Sequence, residues 1–567
     1  MFTRTLLGLI TVVVALSAPG GSSDVDWWEN AALYQIYPRS FQDSDGDGVG
    51  DLQGIASRLA YLKEIGITAT WLSPVFASPM SDFGYDISDF KAIDPVFGTL
   101  DDFDEMIAKA KALGIKIILD FVPNHSSDEC EWFEKSVNRQ DGYDDFYVWH
   151  DGKLNEQTGA REPPSNWVSV FGGPQWTWNE VRQQYFLHQF QVKQPDMNFS
   201  SPMVREHLLE VLRFWLDRGV DGFRIDAVPH IFEYRNEDGS YPDEPLSGWS
   251  DNPDSYDYHD HVYTKDQPET VQLLYEWREF LEKYQEEHGG DSRVLLAEAY
   301  SPVETLSLYF GNGEQRGAQL PMNFQLMYLN GYSTAYDVKN SIDYWMQTMW
   351  AQHQTANWVV GNHDTNREAD RMGAHKVDLL NVIVNALPGA SVTYYGEEIG
   401  MANVATECTE ISCDGRDGER TPMQWSPTKN AGFSTGSGTW LPVSEDYERY
   451  NVQTERGVAR STLQIFKGLQ ELKKSSAFQA FKTAGGFSYE AVSTHVFQII
   501  RSNQLNEEYR IYVNLGNGIE VLNGLSDKVY EFVLLTSYSP RRLGELIDLR
   551  DRLVLMPYEA IVLRWSA

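Results

Sequence analysis

Short apolar runs and amphipathic stretches alternate along most of the chain. The runs are Leu33–Tyr37, Ala69–Leu72, Lys116–Phe121, Gly222–Asp226, Val294–Ala297, Pro321–Phe324, Trp358–Gly361 and Ser391–Tyr395. Each is of strand length, and together they have the near-continuous apolar character of parallel strands covered on both faces. Between them lie stretches of helical period, among them Leu52–Ile65, Leu100–Ala112, Met203–Arg218 and Thr270–His288. Strand and helix in regular alternation predict an α/β fold with a parallel sheet, and the number of runs predicts a closed (β/α)8 TIM barrel.

Two regions break the rhythm. Residues 126–199 follow the third strand, are rich in Trp, Gly, Asn and Pro, and carry no long helical pattern. They predict a loop-rich subdomain inserted at the mouth of the barrel. After a helical stretch at Ser461–Lys474 the pattern turns to short strands at His495–Ile500, Arg510–Asn514 and Ala560–Trp565, which predicts a C-terminal β-sandwich. The expected division is a barrel over 23–125 and 200–479, the insertion over 126–199 and a C-terminal domain over 480–567.

The N-terminus has a different character. Arg4, the apolar run Leu6–Val14 and the small residues Ala15, Ser17, Ala18 and Gly20 form a secretory signal over residues 1–22, with cleavage expected near Ala18–Ser22. The run is shorter than the ~20 apolar residues of a membrane span. The C-terminal Ala560–Ala567 lacks the tail of a lipid-anchor signal. The mature chain is therefore expected to be secreted, with no membrane anchor.

Composition narrows the partners. Hydrophobic residues make up 42% and charged ones 23%, with 82 acids against 46 bases and a formal charge of −36 at pH 7. Such a chain repels phosphate backbones, which argues against nucleic acid and anionic membranes. Cys408 and Cys413 lie close together in a loop and are expected to form a small local disulfide, with Cys130 left over and buried. No companion Cys or His pair gives them a zinc-site spacing. The sequons at Asn124 and Asn198 fall inside strand-end motifs, where burial is expected to protect at least Asn124.

In a barrel, catalysis belongs at the C-terminal ends of the strands. The third strand ends Asp120-Phe-Val-Pro-Asn124-His125, and the fourth reads Gly222-Phe-Arg224-Ile-Asp226-Ala227. The fifth ends in Glu298-Ala-Tyr300 and the seventh in Asn362-His363-Asp364. Acids, histidines and an arginine are thus expected on one rim. Arg224, two residues before Asp226, shares its strand face and can hold that carboxylate by a charge-assisted hydrogen bond.

This set, with Gln194-Pro-Asp-Met-Asn198, Gly396-Glu-Glu-Ile-Gly400 and Arg420-Thr-Pro-Met-Gln-Trp425, resembles the α-amylase superfamily of glycoside hydrolases over nearly the whole mature chain. Within it the α-glucosidase branch, particularly the insect maltases, is the nearest likeness. The resemblance implies a retaining mechanism with Asp226 as nucleophile, Glu298 as acid/base and Asp364 gripping the sugar near the reacting carbon. It implies substrate contacts from Asp82, Tyr85, His125, Arg224, His363 and Arg420, with Tyr85 a stacking platform and Asp82–Arg420 a clamp that closes the pocket. Arg416 is a second basic candidate for the clamp. Retention requires the two catalytic carboxyls ~5–5.5 Å apart. Ala227, where α-1,6-preferring relatives carry Val, implies α-1,4 substrates: maltose, malto-oligosaccharides, or sucrose.

Asp43, Asp45, Asp47 and Asp51 fall at positions 1, 3, 5 and 9 of a calcium-type loop, with the Val49 carbonyl at 7, but Gly54 stands where an EF-hand needs Glu. The loop matches the first-loop calcium site of α-glucosidases, which implies structural Ca2+; no organic cofactor is expected. Two rival readings share the scaffold. One is a sucrose isomerase or transglucosidase, in which a sugar captures the covalent intermediate. The other is a silent binding protein like the transporter heavy chains, which are membrane anchored and typically lack part of the acid set that this chain retains. Nothing in the sequence sets an oligomeric state.

Overall fold

The computed structural model describes residues 25–352, 354–407, 415–480, 486–503 and 506–567, without the side chains of 350–352. The expected signal segment and the Cys408/Cys413 pair lie outside the described residues. Cys130 is a buried free thiol.

Eight parallel strands form the central sheet: β1 (Ala32–Ile36), β2 (Ala69–Leu72), β3 (Lys116–Phe121), β4 (Gly222–Ile225), β5 (Val294–Ala297), β6 (Leu320–Pro321), β7 (Asn357–Val359) and β8 (Ala390–Tyr394). Their order, β6-β5-β4-β3-β2-β1-β8-β7, is that of a barrel opened between β6 and β7. Asparagine side chains bridge that seam. Asn323 N donates to Asn357 Oδ1 at 2.8 Å, and Asn357 Nδ2 donates to the Pro321 carbonyl at 2.7 Å. The sixth strand is shorter than expected and ends at Pro321, because proline has no N–H for the ladder and the chain turns into a 3-10 helix at Gln325–Tyr328.

Alternation along each strand sorts the side chains. Leu33, Ala69, Ile118, Leu296, Leu320, Val359 and Val392 fill the barrel interior, while Tyr34, Ile117, Leu119, Phe223 and Leu295 face the helices. The helices begin with local capping signals. Asp51 caps α1 (Leu52–Glu64), and Thr99 forms a capping box with Asp102 on α2 (Leu100–Leu113). Proline opens both α3 (Pro202–Asp217) and α4 (Pro268–His288).

The stretch after β3 carries the sheet Trp149–His150, Gln184–Leu187, Trp176–Asn179 and a small core around Trp167 and Trp176, to which Tyr241 from beyond β4 contributes. A third irregular region, beyond the two expected, separates β4 from α4. It holds only the 3-10 turns Val228–His230 and Tyr256–Tyr258. Its polar, turn-rich sequence carries no periodic signal that marks it as an excursion.

Beyond α5 (Val377–Ala386) and α6 (Thr462–Lys473) the chain forms an antiparallel sheet of β9 (Phe487–Ala491), β10 (Val496–Ser502), β11 (Glu507–Asn514), β16 (Ala560–Ser566), β13 (Val529–Leu535) and β14 (Leu546–Asp548), in that order. A separate pair, β12 (Glu520–Asn523) and β15 (Arg552–Leu555), lies with it. One face of this region joins the barrel core through Phe497, Ile499 and Val562; the other packs on itself through Tyr530, Leu553 and Leu563. Among the described residues no helix is long and apolar enough to cross a membrane.

Candidate active site

Two residues above the interior layer, the same alternation points Gln35, Trp71, Asp120, Arg224 and Glu298 toward the barrel axis. Registry sets Arg224 directly beside Asp120 on the neighbouring strand. Below it, Gly222 leaves room for β5: a Cβ there would lie 2.4 Å from the Val294 carbonyl oxygen.

Arg224 organises the acids. Nη1 donates to Asp226 Oδ1 at 2.6 Å and to Asp120 Oδ1 at 2.8 Å, and Nη2 pairs with Glu298 Oε1 at 2.8 Å. Its guanidinium lies over the Trp71 ring, 4.7 Å from the centroid. The side chain is 1% exposed, so Arg224 serves the acids rather than touching sugar, which corrects its expected place among the substrate contacts. Both terminal nitrogens are taken by carboxylates, while the buried Nε has no partner.

One guanidinium among these carboxyls leaves negative charge in excess. Burial pushes Glu298 up to about 8, against the pull of Arg224 and aided by Asp226 and Asp364. Burial also raises Asp226, to about 7, against Arg224 and with the charge of Asp120. The cluster therefore retains a proton near neutrality, and Glu298 is where the cost of charge is greatest. The chain turns sharply after Asp226. Ala227 sits in the left-handed region at φ 47°, and its N–H donates to Glu298 Oε2 at 2.9 Å. Holding a non-glycine residue there costs ~1–3 kcal/mol, and it ties the fourth strand end to the acid on the fifth.

A second chain of hydrogen bonds runs across the rim. Gln35 Nε2 donates to His363 Nδ1 at 2.8 Å, which leaves Nε2 facing the Tyr85 hydroxyl at 2.7 Å. That hydroxyl donates to Asp120 Oδ2 at 3.0 Å. The Tyr85 ring lies 5.3 Å from the His363 ring and nearly parallel to it. Burial pushes His363 down to about 3 and His125 to about 4, so both stay neutral hydrogen-bonding groups. His125 Nε2 lies 3.1 Å from the Tyr85 carbonyl.

At one end of the site, Arg416 Nη2 donates to Asp82 Oδ1 at 3.0 Å and Nη1 to Asp364 Oδ1 at 2.8 Å. Arg420 lies deeper, with Nε on the His363 carbonyl at 2.7 Å and Nη2 on Asp364 Oδ1 at 2.9 Å. The expected Asp82–Arg420 clamp is thus corrected to Asp82–Arg416. Arg420 ends a buried 3-10 turn, Asp417–Arg420, and from there supports the loop of Asp364. Burial opposes the charge on Asp364, but the guanidiniums of Arg420 and Arg416 beside it outweigh that and hold the carboxyl well below the usual range.

These groups line a cavity of ≈390 Å³. Asp82, Tyr85, His125, Asp226, Glu298, His363, Asp364 and Arg416 all reach its wall. Phe171, Phe190, Lys265 and Thr365 join it from loops, together with Tyr300 from the strand-end motif of Glu298; Phe190, Lys265 and Thr365 carry no signal in the sequence that marks them for the site. Gln35 and Asp120 had one: each is a lone polar side chain pointing inward from an apolar run.

The acidic loop lies elsewhere. Carboxylate oxygens of Asp43, Asp45 and Asp51 come within 4.8 Å of one another, a hard-oxygen set that suits Ca2+. Asp47 does not join them; its Oδ1 accepts from Val49 N at 2.7 Å. Asn124 is 1% exposed, which removes that sequon from modification.

A solved structure of an alpha-glucosyl transfer enzyme, XgtA, is similar at TM-score 0.81 and 32% identity, over 96% of this chain and 100% of that one. Maltase A2 of Drosophila melanogaster is 75% identical over 99% of both chains. An alpha-glucosidase of Culex pipiens is 44% identical over 99% of this chain and 94% of its own. The catalytic-domain model of alpha amylase matches residues 35–482, and the chain belongs to the alpha-amylase family.

Proposed function

We propose that the chain is an exo-acting α-glucosidase that releases α-glucose from the non-reducing ends of maltose, short α-1,4 oligosaccharides or sucrose, with retention of configuration. The observation that carries the reading is the guanidinium of Arg224 shared by Asp226 and Glu298 at the base of a cavity walled at one end by Asp82, Arg416 and Asp364. The identity to enzymes named maltase and alpha-glucosidase supports it.

In this mechanism Asp226 attacks the anomeric carbon while Glu298 gives its proton to the departing glycosidic oxygen. The raised Glu298 is suited to hold that proton at neutral pH. The resulting glucosyl ester on Asp226 is cleaved by water, from which Glu298, now ionised, removes a proton. Arg224 keeps the nucleophile oriented and stabilises its charge when it leaves the ester. Tyr85, His125 and His363 would bind the glucose ring, and the Asp82–Arg416 pair would limit the cavity to one terminal glucose.

Time-resolved proton NMR with maltose and then sucrose tests the reading. α-Glucose is expected first, with Asp226→Asn silent. β-Glucose first would overturn retention and both assigned roles, and products larger than the substrate would favour the transglucosidase. Structural Ca2+, with Asp43, Asp45 and Asp51 as its carboxylate ligands, and secretion after loss of residues 1–22 are part of the proposal. Expression in cultured insect cells tests the latter: a medium-borne protein whose N-terminal sequence begins near Ser22 is expected, and an intact intracellular Met1 chain would overturn it.

A further inference from the structure

Asp82 stands on a strained turn. The chain leaves the short strand Phe76–Ala77, brings Asp82 and Tyr85 to the cavity wall, and returns along Asp89–Ile93. Within this loop Met80 and Phe83 lie in the left-handed region at φ 65° and 46°, and Gly84 follows at φ 109°. Bulky side chains resist that conformation, so contacts around the turn must offset its cost.

One buried carboxylate supplies three of those contacts. Asp86 Oδ2 accepts from Ser81 N at 2.8 Å, and its Oδ1 accepts from Asp82 N and the Ser78 hydroxyl, both at 2.9 Å. The Ser78 oxygen in turn accepts from Met80 N at 2.9 Å. Acceptors on both oxygens are required here, because the NH2 of an amide would face a backbone N–H. The other contacts are looser or lie outside. Arg39 Nη1 is 3.8 Å from Met80 Sδ, and its guanidinium lies 5.4 Å from the Phe83 ring centroid and 4.8 Å from that of Trp440. Ser81 Oγ donates to Gln191 Oε1 at 2.7 Å from an exposed position.

The geometry of the turn passes to Asp82. Its Oδ1 accepts from Arg416, and its Oδ2 accepts from Gln194 Nε2 at 3.0 Å. Gln194 is fully buried, and its own oxygen is held by Gln191 N at 3.0 Å, so it has little freedom to follow a shifted partner. Hydrogen bonds weaken steeply with misalignment, and a small shift of the Asp82 backbone would loosen both.

We propose that Asp86 is a positioning residue for the terminal-glucose end of the cavity, holding the strained turn so that Asp82 meets Arg416 and Gln194 before sugar arrives. A pair ordered in advance lowers the cost of binding, since less is immobilised when glucose enters. Asp86 acts through Asp82, and is not itself among the groups that line the cavity. This role rests on the α-glucosidase reading above for the identity of the sugar.

A double-mutant cycle on maltose tests it. Asp86→Asn keeps the size of the side chain and sets its NH2 against a backbone N–H. In the parent chain it is expected to lower kcat/KM about ten-fold, chiefly through KM. In an Asp82→Ala background the same change is expected to alter kcat/KM by less than about two-fold. Equal losses in both backgrounds would overturn the role, because a loop needed only for folding, or only for Tyr85, does not depend on Asp82. So would an undiminished kcat/KM in the parent chain. Ser78→Ala removes one of the three donors and repeats the cycle if Asp86→Asn does not fold: a smaller loss, again confined to chains with Asp82, is expected, and equal losses would count as before.

Calorimetric titration of maltose into the Asp226→Asn chain reads the same cycle without turnover. Coupled affinities there support the role even where no sugar is cleaved, an outcome that would defeat only the α-glucosidase reading; independent affinities would overturn it. A crystal structure of Asp86→Asn needs no sugar at all. Asp82 is expected to lose its contact with Arg416 as Met80 or Phe83 leaves the left-handed region. An unmoved turn with both Asp82 contacts intact would overturn the proposal.

Discussion

At the scale of single residues, the site is governed by how few positive charges serve its acids. Asp120, Asp226 and Glu298 all lean on Arg224, and the neighbouring charge of Asp120 is one reason Asp226 sits above its ordinary value. The nucleophile must be ionised and the acid protonated, so activity is expected to fall as pH drops through the raised value of Asp226 and as it climbs past about 8, where Glu298 ionises. Asp120→Asn removes a negative charge beside Asp226 and lowers the cost of ionising it. The acid limb of the kcat/KM profile should therefore move to lower pH, with kcat reduced because Arg224 and Tyr85 lose a partner. A variant with reduced kcat but an unmoved acid limb would show Asp120 to be a positioning group with no electrostatic part. The inward direction of Asp120 and Arg224 was legible from strand alternation. That Arg224 reaches across to Glu298 was not, since this contact joins side chains on two strands and sequence spacing measures only one.

At the scale of elements, the loop carrying Arg416 and Arg420 divides two tasks between residues four apart. Arg416 is partly exposed and bridges Asp82 and Asp364 on the cavity wall, whereas Arg420 is buried and braces the strand end that carries His363. Arg416→Ala is expected to raise KM for maltose ~10-fold or more while leaving the urea midpoint near that of the parent, as loss of a binding contact does. Arg420→Ala strands Asp364 and a buried carbonyl and should cost ~3 kcal/mol or more of unfolding free energy. Unaltered stability in Arg420→Ala together with a KM defect would reverse the assignment. The sequence offered both arginines in one loop. Choosing between them required the turn at Asp417–Arg420, which points one side chain into the cavity and the other beneath it.

At the scale of the whole molecule, the acidic loop near the N-terminus joins distant parts of the chain. Asp43 N donates to the Phe433 carbonyl, and Trp440 N donates to Gly48 O, both at 3.0 Å. The carboxylate of Asp43 meanwhile gathers the amides of Asp45, Gly46 and Gly48. Charges this close repel, and a cation that neutralises them would stabilise the folded chain by mass action. Chelation with EDTA is expected to lower the melting temperature by several degrees, with recovery on adding Ca2+ but not Na+. Superimposable melting curves would remove the metal. Because the loop lies away from the catalytic cavity, kcat on maltose well below the transition should be the same with and without chelator.

The pattern of residues determined the barrel, the position of every strand but the sixth within a residue or two, and the acids at their C-terminal ends. These follow from local rules: apolar runs of strand length, capped helices between them, and a two-residue alternation that states which side chains face the axis. Tertiary structure decided what local rules cannot express. It selected Arg416 over Arg420 for Asp82, turned Asp47 away from the other three acids, and cut the sixth strand short at Pro321. It also set the Arg39 guanidinium against Phe83 and Trp440. Each of these depends on groups far apart in the chain meeting in a low-dielectric interior, where one charge or one hydrogen-bond donor must serve whichever partners the fold brings to it.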